Sequence, residues 1–273
     1  MTILADLHTH STASDGQYSP SELVARAKAR GIEALALTDH DTTDGIAEAT
    51  AVGEQLGVRV IPGVELSAKE YYTFHILGYA YDPAAPELAA LCARVKHRRE
   101  RRNQIILDYL REHDMPLTLA EVESFAGGDV IGRPHFAQAM VRRGYVASNR
   151  AAFDKWLDTD ELHERMDFGK PSARECVETV KASGGKVSLA HPYQIGVDDE
   201  ALNGIVRELV GYGLDAIECY YPKFTPEQQA YYLQLAEKYH LRITGGSDFH
   251  GERVKPDIEL AALPLDVDWL LER

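Results

Sequence analysis

The stretch "ILADLHTHS", residues 3–11, decides how the rest of the chain is read. Its apolar start, Ile3 and Leu4, reads as a β-strand, and His8 and His10 stand two apart near the strand's end. Side chains at i and i+2 of a strand leave the same face, so the two imidazoles project together. Functional groups in parallel α/β folds gather at the carboxyl ends of strands. A first strand that ends in two histidines makes the ends of the later strands the places to look.

Over residues 1–82 apolar runs alternate with helical stretches: "SPSELVARAKARG", "EALALTDH", "DGIAEATAVGEQLG", "VRVIPGVEL" and "FHILGYAY". This is the βαβ rhythm of a mostly parallel sheet. Ser19 before Pro20 predicts a capped helix start, and Gly31 ends that helix. His40 ends the second strand in "LALTDHD", Glu65 the third in "PGVELS", and His75 lies on the fourth in "TFHILGY". Further on, His191 ends the strand in "VSLAHP", and Asp248 and His250 end the last one in "GGSDFH".

An isolated histidine of this kind is more often a hydrogen-bonded core residue than a ligand. Recurrence at one place in each strand unit defeats that reading. Imidazole nitrogen and carboxylate oxygen suit Zn, Mn or Fe, and so many donors on one rim exceed the three or four that a single catalytic ion needs. More than one divalent ion is implied.

From about 83 to 170 the rhythm breaks into helices without strands, beginning with the long pattern "ELAALCARVKHRRERRNQIILDYLREH". We read residues 83–170 as an inserted helical, substrate-binding subdomain, and 1–82 with 171–273 as a metal-binding barrel of around seven βα units. A chain of 273 residues, 45% hydrophobic and 26% charged, has ample material for that core. The net charge of -14 argues against a protein that coats duplex DNA. Cys92, Cys176 and Cys219 are odd in number and far apart, which fits a reducing compartment. No basic-then-apolar leader and no membrane-spanning apolar run stands in the sequence, so a cytoplasmic location without a membrane partner is expected.

The motifs "H-x-H", "TDHD", "GVE", "AHP" and "SDFH", in that order, resemble the polymerase and histidinol phosphatase (PHP) family, which is similar in layout to the amidohydrolases. The match spans most of the chain outside the insertion. The resemblance implies an α/β fold, a distorted (β/α)7 barrel of the PHP type with an inserted helical subdomain, holding up to three divalent ions. Mn(II) is the first expectation, with Zn(II) or Fe(II) as alternatives. Carried over motif by motif, His8, His10, Glu65 and Asp248 would hold the first ion, and Glu65 would bridge to a second held also by His75 and His191. Asp15, His40 and His250 would hold the third; Asp15 stands where many family members have His, in an "SDG" that is also a good turn sequence. Asp39, Asp41 and Asp44 are left off the ligand set, as helix caps or orienting partners.

Such a cluster acidifies a water and clamps the oxygens of a phosphoryl group, so phosphoester hydrolysis is the leading reaction. Asp248 is the candidate base and His191 a candidate proton donor. Substrate choice is expected in the insertion. Leu88, Leu91, Val95, Ile106 and Tyr109 form an apolar helical stripe, and Arg99 and Arg102 fall within it, whereas the other charges of "KHRRERR" read as an ordinary wet face. In "GRPHFA", Arg133 and His135 flank a proline at a helix start, where an anion can be received and a guanidinium can grip a phosphate. "GRPH" after such a helix resembles the PHP subgroup that removes the 3′-phosphate from nucleoside 3′,5′-bisphosphates, or trims short RNA from its 5′ end. This makes Arg133 and His135 the phosphate candidates, with Lys170 and Arg174 in reserve. The leading expectation is thus a metal-dependent 3′,5′-nucleotide bisphosphate phosphatase acting on a small nucleotide. The alternatives are a 5′-3′ exonuclease on short RNA 5′ ends, a histidinol phosphatase, an amidohydrolase-type hydrolase, or a non-catalytic structural PHP module.

Overall fold

Eight strands make one nearly closed barrel sheet in the order β7-β6-β5-β4-β3-β2-β1-β8. They are β1 (Thr2–Thr9), β2 (Ala34–Leu37), β3 (Arg59–Ser67), β4 (His75–Tyr79), β5 (Lys186–Leu189), β6 (Ala216–Tyr220), β7 (Arg242–Gly245) and β8 (Leu263–Asp266). The structure is a computed structural model that describes residues 2–126, 131–166 and 169–271. Residues 127–130 and 167–168 of the insertion read over 83–170, and the domain ends at 1, 272 and 273, lie outside the described residues.

The sheet is parallel from β1 to β3 and from β5 to β7, while β4 runs antiparallel to both its neighbours and β8 antiparallel to β1. The sequence reading foresaw neither reversal. Residues 68–74 between β3 and β4 are too few for a crossover helix, so the chain must turn back. Ser67 consequently pairs with His75, and it is the first residue of β4 that reaches the rim where the parallel strands end. The barrel closes through a parallel bridge from Thr9 to Phe249, with Asp248 N–H donating to His8 O at 2.8 Å and His10 N–H to Phe249 O at 2.9 Å. Gly246 makes that closure possible, since a Cβ there would stand 2.4 Å from His8 Cβ.

Helices α1 (Pro20–Ala29) and α2 (Ile46–Leu56) link the first three strands. Ser19 and Glu22 form the capping box of α1, and Gly31 follows its end at φ +74°. After β4 the described residues hold helices only until β5: α3 (Pro86–Glu112), α4 (Leu119–Glu123), α5 (Arg133–Arg142), α6 (Asn149–Ala152), a π turn over Phe153–Leu157, and α7 (Asp160–Met166). Helices α8 (Ala173–Ala182), α9 (Asp199–Tyr212) and α10 (Pro226–Tyr239) alternate with β5 to β7, and α11 (Asp268–Leu271) follows β8. No helix among the described residues is long and apolar enough to cross a membrane.

Helix α3 belongs to two cores. Leu88, Leu91 and Val95 pack with barrel residues such as Val64 and Val177, whereas Ile106, Tyr109 and Leu110 pack with Phe136, Met140 and Leu162 of the insertion. Between these apolar halves Arg98, Arg99, Arg102 and Asn103 are buried, a polar belt where the two bodies of side chains meet. Arg98 corrects the expectation of a wet face, for it is 7% exposed. Cys92, Cys176 and Cys219 are free thiols.

Candidate metal centre

Glu65, fully buried at the end of β3, lies at the middle of the donor set. Its Oε2 is 3.4 Å from His8 Nε2, 3.1 Å from His10 Nε2 and 3.1 Å from His40 Nδ1. Its Oε1 is 2.7 Å from His75 Nδ1 and 2.9 Å from His191 Nε2. One oxygen therefore faces the histidines of β1 and the loop after β2, and the other faces those of β4 and the loop after β5. Asp248 Oδ1 is 3.7 Å from His8 Nε2, 3.4 Å from His10 Nε2 and 3.3 Å from His250 Nδ1. Asp15 Oδ1 is 3.3 Å from His250 Nε2 and 4.0 Å from His10 Nδ1.

All nine residues expected as ligands are thus brought together at one rim. Donors of eight of them fall into three overlapping groups: His8, His10, Glu65 and Asp248; His10, Asp15, His40 and His250; and His40, Glu65 and His75. His191, expected beside Glu65 and His75, falls in none of the three, although its Nε2 lies 2.9 Å from Glu65 Oε1. The grouping differs from the expectation in that His40 and His10 are shared, which places His40 beside Glu65 as well as beside Asp15.

The buried atoms His8 Nε2, His10 Nδ1 and Nε2, His40 Nδ1 and Glu65 Oε2 have no hydrogen-bond partner among the described residues. Buried polar atoms are rarely left so, and convergent imidazole and carboxylate donors without partners are what a divalent cation completes. Burial pushes His40 down to about 3, which keeps its ring neutral with a lone pair to give. Helix α5 closes on this set from the insertion side. Gly132 packs against Asp15 so tightly that a Cβ there would meet Asp15 Oδ2 at 3.0 Å.

Four supporting residues escaped the sequence reading. Glu218 on β6 is fully buried, with Oε1 3.2 Å from His8 Nδ1 and Oε2 accepting from His191 N–H at 2.6 Å. A lone Glu inside the apolar "AIECY" was its only signal. Asp6, pushed up to about 6 by burial, accepts from Ser247 and from the Ala261 amide, tying β1 to the closing loops. Lys255 Nζ donates to Asp248 Oδ2 at 2.5 Å and Tyr221 hydroxyl to the same oxygen at 3.1 Å. Burial opposes the charge on Asp248, and the Lys255 ammonium beside it outweighs that, holding the carboxyl well below the usual range.

Two of the three aspartates left off the ligand set, Asp39 and Asp41, have other partners. Asp39 accepts from the Ser11 amide and from the hydroxyls of Ser11 and Ser14. Asp41 accepts from Arg99 and Ser67, so neither caps α2, whose N-cap is Gly45.

A cavity of about 520 Å³ opens over the rim, bordered by Asp15, His40, His75 and His250 and by cations of the helical segment and of the residues just before α8. Arg133 and Lys170 border it as expected. Arg133 donates to Asp158 at 3.1 Å and lies 4.4 Å over the Tyr72 ring, and burial pulls its pKa down to about 10. Lys170 lies 5.4 Å over the same ring, and its pKa is lowered to about 8 by burial and by Arg98 and Arg133 nearby.

Two expectations need correction. His135 does not border the cavity: its Nδ1 accepts from Gly132 N–H at 3.1 Å, closing the start of its own helix where an anion was expected. Arg174 points away, its guanidinium paired with Glu178 at 2.7 Å and largely exposed, because the second residue of α8 lies on that helix's outer side. His191, expected as a proton donor, presents Nε2 to Glu65 and His75 and lies beneath the cavity without bordering it. Arg99 and Arg102 do border the cavity, but Arg99 is engaged by Asp41 and Arg102 donates to Ile131 O at 2.5 Å.

The family model of the PHP domain matches residues 6–162. A 5′-3′ exoribonuclease of Haemophilus influenzae is 35% identical over 92% of this chain and 91% of its own length. A 3′,5′-nucleoside bisphosphate phosphatase of Chromobacterium violaceum is 32% identical over 90% of this chain and 86% of its own. A solved structure from Bifidobacterium adolescentis, described as a metal-dependent phosphoesterase, superposes with a TM-score of 0.85 at 32% identity, covering 98% of this chain and 95% of that one.

Proposed function

Since the chain belongs to the PHP domain family and is a metal-dependent phosphoesterase, we propose that it removes the 3′-phosphate from nucleoside 3′,5′-bisphosphates, such as adenosine 3′,5′-bisphosphate, leaving the 5′-monophosphate. The observation that carries this reading is the sharing of one cavity by cations and metal-type donors: Arg133 and Lys170 border it together with His40, His75, His250 and Asp15. A volume of about 520 Å³ suits a nucleotide with one phosphate at each side.

His8, His10, Asp15, His40, Glu65, His75, His191, Asp248 and His250 would hold up to three divalent ions, Mn(II) first among them, which would supply Lewis-acid polarisation of the attacked phosphoryl group and acidify the attacking water. Arg133 and Lys170 grip the 5′-phosphate that is not cleaved, which spends binding energy on a remote group and so favours the bisphosphate in turnover as well as in affinity. The Tyr72 ring beneath both cations keeps them against the cavity. Asp248 has Oδ2 held by Lys255 and Tyr221, which fixes Oδ1 toward His8, His10 and His250 and keeps the candidate base oriented over the rim.

A second reading, 5′-3′ hydrolysis of short RNA, is favoured by one feature. Arg98 and Lys170 border both the cavity and a shallower groove lined by Arg94, His97 and Arg101, a basic face at i, i+3, i+4 and i+7 of α3. The test compares specificity constants of the Mn-loaded protein for the 3′,5′-bisphosphate, the 3′-monophosphate, histidinol phosphate and a short 5′-phosphorylated RNA. The bisphosphate is expected to lead. A lead for the RNA establishes the second reading, and equal rates on the 3′-monophosphate overturn the role of the 5′-phosphate.

A further inference from the structure

We infer that Glu218 is a positioning residue that decides which nitrogen of His8 carries the proton and, with the same carboxylate, holds the backbone turn that delivers His191. The inference rests on the metal reading of the cluster. A carboxylate inside an apolar strand is costly unless its oxygens are engaged, and both oxygens of Glu218 are: Oε1 lies 3.2 Å from His8 Nδ1 and Oε2 accepts from His191 N–H at 2.6 Å. His191 stands at φ 22° and ψ 66°, a sparsely populated region for a residue with a Cβ, which persists only where its surroundings hold it.

A carboxylate accepts and does not donate, so His8 Nδ1 must carry the ring proton toward Glu218. The lone pair is then left on Nε2, the buried atom without a partner that faces Glu65 Oε2 and Asp248 Oδ1. His191 presents Nε2 to the other oxygen of Glu65. One carboxylate thus stands behind a donor on each side of Glu65.

The consequence is chemical and not steric. In Glu218→Gln the side chain keeps its size but offers one acceptor and one donor. The His191 N–H can only donate, so the amide oxygen turns to it and the NH2 faces His8 Nδ1. That nitrogen must now accept, the ring proton moves to Nε2, and His8 is blocked as a ligand. Glu218→Ala removes more packing yet leaves His8 free to take either tautomer.

The experiment is equilibrium dialysis of the full chain against Mn(II), with metal counted by mass spectrometry, affinity measured by chelator competition, and thermal melting recorded on the same samples. Glu218→Gln should lose one ion per chain or bind it about 10–100-fold more weakly, with a melting point close to that of the native chain. Glu218→Ala should melt lower and yet hold more metal than Glu218→Gln. If the native chain loads and Glu218→Gln loads equally well, or if metal content simply follows the melting point through both variants, the inference is overturned while the metal reading stands. A native chain that takes up no ion overturns the metal reading and this inference with it.

Discussion

Arg99 on α3 donates through Nε to Asp41 Oδ2 at 2.9 Å, which joins the helical insertion to the barrel rim one residue after His40. The pair is buried, and Ser67 completes it, its amide donating to Asp41 Oδ1 at 2.9 Å and its hydroxyl to Oδ2 at 3.1 Å. The Asp41 amide donates in turn to Glu65 O at 2.9 Å. Burial opposes the charge on Asp41, and Arg99 outweighs it, holding the carboxyl below its usual range. Arg99→Ala should therefore cost about 3–5 kcal/mol in urea unfolding, because it strands a buried carboxylate. The double variant Asp41→Asn with Arg99→Met should recover most of that. A single-variant loss of under about 1 kcal/mol would show the pair to behave as an exposed one.

The two oxygens of Glu65 face different histidines, so removing this one side chain should release ions from both sides. Glu65→Ala is expected to lose two metal equivalents together, and activity with them. Loss of one equivalent with the other retained at native affinity would mean that no carboxylate is shared.

Arg133 is expected to serve the phosphate that is not cleaved. Losing a charge-assisted contact of that kind costs on the order of 1.5 to 3 kcal/mol. Arg133→Ala should lower kcat/KM on a 3′,5′-bisphosphate by that factor and leave hydrolysis of a simple aryl phosphate nearly unchanged. Equal losses on both substrates would make Arg133 a structural or general electrostatic residue.

Lys170 supplies a pH dependence with a definite sign. Its pKa is lowered to about 8, so the ammonium is present below that pH and lost as pH rises through it. Specificity for the bisphosphate should accordingly fall above pH 8, and Lys170→Arg should hold its value through the same range because a guanidinium does not titrate there. Aryl phosphate hydrolysis, which does not use the grip, serves as the control. The same fall in Lys170→Arg would assign the titration to another group.

Arg174, paired with Glu178 on the outside of α8, should be neutral in function. Arg174→Ala is expected to keep kcat/KM within about twofold and stability within about 0.5 kcal/mol. A tenfold loss on the bisphosphate would return it to the cavity wall.

How far the site was legible depended on the kind of signal each residue carried. His8, His10, His40, Glu65 and Asp248 sit at strand ends in short motifs, so their spacing placed them before any coordinates did. His75 was found for an incomplete reason, because it reaches the rim by opening an antiparallel strand. Arg98 and Arg99 are adjacent in a basic run, yet both are buried, since the polar belt of α3 turns around the helix between its two cores. His135 and Arg133 look alike in "GRPH", but one bends back to its own N-cap and only the other borders the cavity.

By itself the sequence determined the barrel with its run of helices between strands and the residues whose donor chemistry suits a metal, because strand and helix periods and donor chemistry are local properties read along the chain. Only the tertiary structure decided which donors stand together, which cations border the cavity and which are engaged by Asp41, Ile131 or Glu178, and that Glu218 stands behind His8 across an interval of 210 residues. Those outcomes depend on distances between side chains that no spacing in the chain encodes, and hydrogen bonds and ion pairs act only over a few ångströms.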